Sequence, residues 1–162
     1  MRDESNIGFS VLTSVILASL LFQAANAIEL RVVMPRLLEL CVFYWVLSSP
    51  TRIGIIFAFS VGILISLIEG SLVGAASIGL SIVAYALLHN IYTIRQLDWI
   101  LQTTIVFLLL GISVALQRAI LAAVGVPPDG LGYQVAVLIS AFLWRPFCML
   151  VDMARFRIGQ LL

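Results

Sequence analysis

Few residues in this chain can do chemistry, and most of them sit inside apolar runs. Arg36 and Glu39, Glu69, Arg118, Arg145 and Asp152 interrupt stretches otherwise built largely of Leu, Ile, Val, Ala and Phe. A charge at the centre of a bilayer costs roughly 2.5–3.5 kcal/mol on insertion scales unless it is paired or reaches water. Arg36 and Glu39 are three positions apart, close enough to pair along one helix. A bridge from Arg118 to Glu39 or Glu69 is open to the same cluster. Arg145 lies in a polar seam with Gln134, Ala141, Cys148 and Asp152, next to Pro146, which removes a backbone hydrogen bond and tends to kink a helix. Its expected state is reach towards water and pairing with Asp98 or Asp152; a seat for a ligand's anionic group is the alternative.

Catalysis has little to stand on. The single histidine, His89, stands near Asn90 and Tyr92 at the end of an apolar run, and an interfacial side chain is its expected role. There is no nucleophile elbow, metal-binding motif or phosphate loop, so neither an enzyme nor a metal or cofactor is expected. Cys41 and Cys148 fall in apolar runs, where thiols behave as small apolar groups. A net charge of +1 leaves no electrostatic footprint for nucleic acid.

The elements that must hold these residues follow from composition. The chain of 162 residues is 62% hydrophobic and 10% charged, with mean hydropathy +1.16. Soluble domains carry about 25% charged residues, and a chain this small cannot hide so much apolar surface from water. We therefore expect an all-α integral membrane protein, a compact bundle of six transmembrane helices forming a single domain over 1–162. The expected spans are about 7–25, 32–47, 54–68, 72–92, 99–124 and 131–153, set against the roughly 20 residues a crossing needs; the second is short. Ala25-Asn26-Ala27 has the look of a signal-peptidase site, but Arg2 is offset by Asp3 and Glu4, so the first span is read as retained.

Ser48-Ser49-Pro50-Thr51-Arg52 is expected to be a tight connection with Pro50 in the first turn of the third span. Glu69-Gly70-Ser71 is short enough to make spans three and four antiparallel neighbours, and Pro127-Pro128-Asp129-Gly130 is a turn. With both termini cytoplasmic, Arg2, Arg52, Arg95, Arg155 and Arg157 lie inside against Arg31 and Arg36 outside, the orientation the positive-inside rule favours.

Small residues recur every four positions in the third span: Gly54, Ala58, Gly62, Ser66 and Gly70, continued by Gly74. In lipid no hydrophobic drive brings helices together, and small residues let backbones approach. This seam is expected to pack within the bundle or against a partner. Gly111, Ala115, Ala119 and Ala123 repeat the pattern in span five, and Ser10, Ser14 and Ala18 in span one.

One block resembles a known family. It starts at Pro35, passes Tyr44-Trp45-Val46-Leu47 to Pro50 and Arg52, and continues through Gly62, Leu67, Gly70-Ser71 and Gly74 to Ser81 and Ala84-Tyr85. Tyr-Trp before a proline turn, then Gly-Ser-x-x-Gly between two spans, resembles the bacterial rod shape-determining protein MreD family. Many members carry an aspartate where this chain has Ser66, with Glu69 placed to supply a comparable charge; they often enter span two with Arg-Pro, where this chain has Pro35-Arg36.

The resemblance implies a non-enzymatic scaffold of the cell-elongation complex in the bacterial inner membrane. It implies an MreC-like bitopic partner, action with MreB-like and RodA–PBP2 synthase components in lateral peptidoglycan synthesis, and a fold like the substrate-binding subunits of energy-coupling-factor transporters. A second reading is a substrate-capture subunit of a vitamin or small-metabolite transporter, with a pocket built around Arg36, Glu39 and Arg118.

Overall fold

A computed structural model describes residues 2–27, 36–50, 53–126 and 132–161. Among them the chain is all helix, with no strand: α1 (Arg2–Ala27), α2 (Leu37–Ser48), α3 (Ile55–Glu69), α4 (Ala75–His89), α5 (Ile91–Gln96), α6 (Trp99–Ala123) and α7 (Gly132–Leu161).

The innermost element is α2. Leu38 to Leu47 are buried without a break, the pattern of a helix surrounded on every side, and it packs against α1, α3, α4 and α7. Its 12 residues rise about 18 Å at 1.5 Å each, well short of the roughly 30 Å of hydrocarbon in a bilayer. Residues 28–35 lie outside the described residues, so the start expected near Val32 does too.

The α2–α3 connection differs from the expectation that put Pro50 in a helical first turn. The Ser49 amide still bonds the Trp45 carbonyl at 2.9 Å, and the Ile53 amide bonds Ser49 at 2.9 Å. Pro50 is thus consumed by a turn, and α3 begins at Ile55 behind Gly54. Arg52 lies outside the described residues.

Between α3 and α4 the chain reverses through two glycines. Gly70 has φ 63°, and the Ser71 amide reaches back to the Ser66 carbonyl at 3.0 Å, closing the helix end in the way a left-handed residue permits. Gly74 has φ 102°, which strains any residue with a Cβ. For that reason α4 starts at Ala75 rather than at Leu72. The helices then pack as the most extensive pair in the fold.

The expected fourth span, running to Tyr92, is broken. The Asn90 amide and side-chain Nδ2 both donate to the Ala86 carbonyl, at 3.2 and 3.1 Å. That ends α4 at His89, and the chain restarts as the short α5. Arg95 on α5 donates from Nε to the Leu47 carbonyl at 2.8 Å and from Nη2 to Ser48 at 3.0 Å. It thereby satisfies the last carbonyls of α2, groups that a helix cannot bond internally.

Two helical stretches, Trp99–Ala123 and Gln134–Ala154, are long and apolar enough to cross a membrane. The outward faces are apolar throughout the bundle: Ile56 is 84% exposed, Phe142 87% and Leu150 65%. Such faces suit hydrocarbon and not water.

Candidate functional site

One buried polar cluster among the described residues draws on four helices. Arg36 stands at the N-terminus of α2 with Glu39 one turn on; α3 contributes Glu69 from its last turn, α6 contributes Gln117, and α7 contributes Ser140. Arg36 pairs with Glu39 through Nη1 and Oε1. The same Nη1 donates to Gln117 Oε1 at 3.3 Å, and Gln117 Nε2 donates to Glu69 Oε2 at 3.1 Å. Arg36 Nη2 lies 3.9 Å from Glu69 Oε1. The Arg36 backbone amide donates to Ser140 Oγ at 2.7 Å, and the Ser140 hydroxyl donates to the Ala136 carbonyl at 2.7 Å.

Burial makes this arrangement costly to break. Arg36 is 7% exposed and Glu39 1%, and taking one partner from a buried ion pair typically costs about 3–5 kcal/mol. The cluster therefore ties the mouth of α2 to α3, α6 and α7.

A second set of bonds holds the other length of α2. Trp45 Nε1 donates to Ser14 Oγ at 2.8 Å, and Cys41 Sγ donates to it at 3.3 Å, joining α2 to α1. Tyr44 donates to Asp152 on α7, with its ring edge-on to Trp45 at 5.4 Å and to Phe147 at 6.5 Å.

The family model described as rod shape-determining protein MreD matches residues 3–154. The chain belongs to the MreD family. A curated relative, the rod shape-determining protein MreD of Haemophilus influenzae, is 30% identical over 100 residues, which is 62% of this chain. The matched stretch spans 62% of that relative's length. No solved structure matches the chain.

Within this MreD-family chain the Tyr-Trp pair is a core fastener: Trp45 is fully buried and Tyr44 is 6% exposed. Pro35 and Arg52 of the same block lie outside the described residues. Along the seam of small residues, Ala58, Gly62 and Ser66 are buried. A Cβ on Gly62 would stand 2.3 Å from Ser77 Cα, so this stretch of α3 is already pressed against α4. Gly54, Gly70 and Gly74 have open space where a Cβ would be and sit at helix ends. Ser66, in the place of the usual family aspartate, turns its hydroxyl back to the Gly62 carbonyl at 3.1 Å, while Glu69 joins the cluster.

Arg36 brings its guanidinium to 3.9 Å from Glu69. Arg118 is half-buried, one position on from Gln117, whose side-chain amide joins the cluster. Arg145 is exposed, and among the described residues no ion pair joins it to Asp98 or Asp152; Asp152 serves Tyr44 instead. His89 is exposed and stacks on Tyr85 at 6.1 Å.

Sequence reasoning missed four of the packing and network residues: Gln117, Ser140, Ser77 and Gly79. A Cβ on Gly79 would meet the Ser113 carbonyl at 2.8 Å, so α4 also approaches α6 closely, though less so than α3. Uncharged polar residues in an apolar helix were the available signal for Gln117. For Gly79 the available signal was the four-residue spacing of Ser71, Ala75 and Gly79.

Proposed function

We propose that this chain is a non-enzymatic scaffold of the bacterial cell-elongation complex, binding an MreC-like partner and supporting rod shape and lateral peptidoglycan synthesis together with MreB-like and RodA–PBP2 components. Membership of a family named for shape determination supports the reading. So does the way many of the described polar groups are spent: Arg36, Glu39, Glu69 and Gln117 form one bonded set and Tyr44 and Asp152 another, while large apolar side chains are exposed on the outward helix faces. In this reading the chain crosses the bacterial inner membrane six times with both termini cytoplasmic, and the short α2 is shielded from lipid by its neighbours. Its fold would then resemble the substrate-binding subunits of energy-coupling-factor transporters.

The observation that carries the scaffold reading is an open small-residue face on α6. Ala115, Ala119 and Ala123 are exposed, and a Cβ on Gly111 would meet nothing within 4 Å. The seam of α3 is spent on α4. A partner's single span would pack on α6, where small side chains admit a close approach.

Co-purification in mild detergent with the MreC-like protein of the same genome tests this. Wild type should retain the partner, and Ala115→Leu with Ala119→Leu should lose it while staying monodisperse. Undiminished recovery by a well-folded double variant would remove α6 from the interface; no recovery by wild type would sink the scaffold reading. The transporter alternative would need a roomier site than the described residues leave beside Arg36, Glu39 and Glu69, about 10 Å³ against roughly 300 Å³ for a small-molecule pocket; a larger cavity, about 490 Å³ between α1 and α7, is lined by none of the three.

A further inference from the structure

The buried cluster holds one atom that its own bonds leave over. Glu39 is 1% exposed; its Oε1 is taken by Arg36, whereas its Oε2 has no hydrogen-bond partner. A buried carboxylate oxygen without a donor has given up its hydration and received nothing in exchange. Such an oxygen is rare in folded proteins.

Two further observations lie beside it. Between α2 and α3 is a space of about 10 Å³ for the centre of a water-sized guest, lined by Arg36, Leu37, Leu38, Glu39, Ile65 and Glu69. One water needs about 10–15 Å³ measured in that way, with two to four polar partners. Across the cluster, Arg36 Nη2 and Glu69 Oε1 stand 3.9 Å apart, longer than a hydrogen bond and in the range where an intervening water is the natural link.

We propose that this space is a binding site for one uncharged, water-sized hydrogen-bonding guest, a single water molecule. It donates to Glu39 Oε2 and to the Glu69 carboxylate and accepts from Arg36. Charge selects the class of guest: the guanidinium lining the space opposes a metal cation, and two carboxylates oppose an anion. Size excludes anything with more than about one heavy atom. The site adds nothing to the partner reading and does not depend on it. What it supplies is the missing donor for Glu39.

Infrared spectra of the purified full chain in lipid films, dried and then equilibrated with ordinary or heavy-oxygen water, test it. Wild type should retain an O–H stretching band that shifts on heavy-oxygen exchange and persists after loosely held surface water has gone. In Glu39→Gln the amide substitutes a donor for an acceptor, and the band should move or vanish. A dried wild type without an isotope-sensitive band overturns the proposal, as does a band unchanged in a folded Glu39→Gln. Should that variant fail to fold, a density map of wild type decides. A peak at hydrogen-bond distance from Glu39 Oε2 and Arg36 supports the site; no peak, or one ringed by several oxygens at metal-ligand distances, ends it.

Discussion

Gly62 on α3 and Ser77 on α4 meet backbone to backbone: a Cβ added at Gly62 would stand 2.3 Å from Ser77 Cα and 2.7 Å from its amide nitrogen. No side chain can move aside to relieve that overlap, because the atoms in the way are main chain. Gly79 repeats the relation on α6, 2.8 Å from the Ser113 carbonyl. The middle of the bundle is thus closed by two glycine crossings, in an environment where packing and not water exclusion holds helices together.

Gly62→Ala should therefore destabilise the chain by about 1–3 kcal/mol, the usual cost of forcing extra volume into a packed interior. Gly111→Ala is the matched control, since its Cβ meets nothing within 4 Å and alanine favours the helix. Thermal unfolding in one detergent should rank Gly62→Ala below wild type and Gly111→Ala level with it or above. Equal midpoints for all three would contradict the crossing.

The ion cluster should respond unequally to its members. Arg36→Met leaves Glu39 and Glu69 without their shared guanidinium and should cost about 3–5 kcal/mol. Glu39→Gln should cost less, because Arg36 keeps Gln117 at 3.3 Å and Glu69 at 3.9 Å. Adding Glu39→Leu to Arg36→Met should recover part of the loss, as removing a buried charge with its partner usually does. Strict additivity of the two substitutions in chemical denaturation would show that the pair is not coupled.

Arg95 should be worth less and be read locally. Its guanidinium caps the Leu47 and Ser48 carbonyls, and a cation at a helix C-terminus contributes about 0.3–1 kcal/mol. In Arg95→Ala, amide exchange should quicken at Ser48 and Ser49, the last hydrogen-bonded turn of α2, with little change in α6. Unchanged exchange in that turn would mean that the cap carries no load.

The outward face of α6 should separate stability from assembly. Ala119 is exposed, so Ala119→Leu in the isolated chain should stay within about 0.5 kcal/mol of wild type, as surface changes usually do. Its effect should appear as reduced recovery of the proposed MreC-like partner. A drop in thermal midpoint comparable to that of Gly62→Ala would instead place Ala119 inside this chain's own packing.

Much of the architecture was written locally. Apolar runs, glycine turns and the Tyr44-Trp45 block are properties of neighbouring residues, so helical class, the α3–α4 reversal and the family were all legible in sequence order. So was the Arg36–Glu39 pair, whose members share one turn. The break at Asn90 was harder to see, since an apolar run continues through Ile91 and Ile94; what stops α4 is one amide bonding its own helix.

What remained hidden depends on which way helices turn about their axes. Sequence placed Arg118 and Gln117 side by side and marked the charged one; packing rotated α6 so that Gln117 enters the cluster. Sequence offered the same four-residue spacing of small residues in α3 and α6, yet α3 spends its seam against α4 while α6 turns Ala115, Ala119 and Ala123 outward. Spacing along a helix determines which residues share a face. Only the summed contacts of all the helices decide what that face meets, because rotating one helix costs nothing locally and everything at its neighbours.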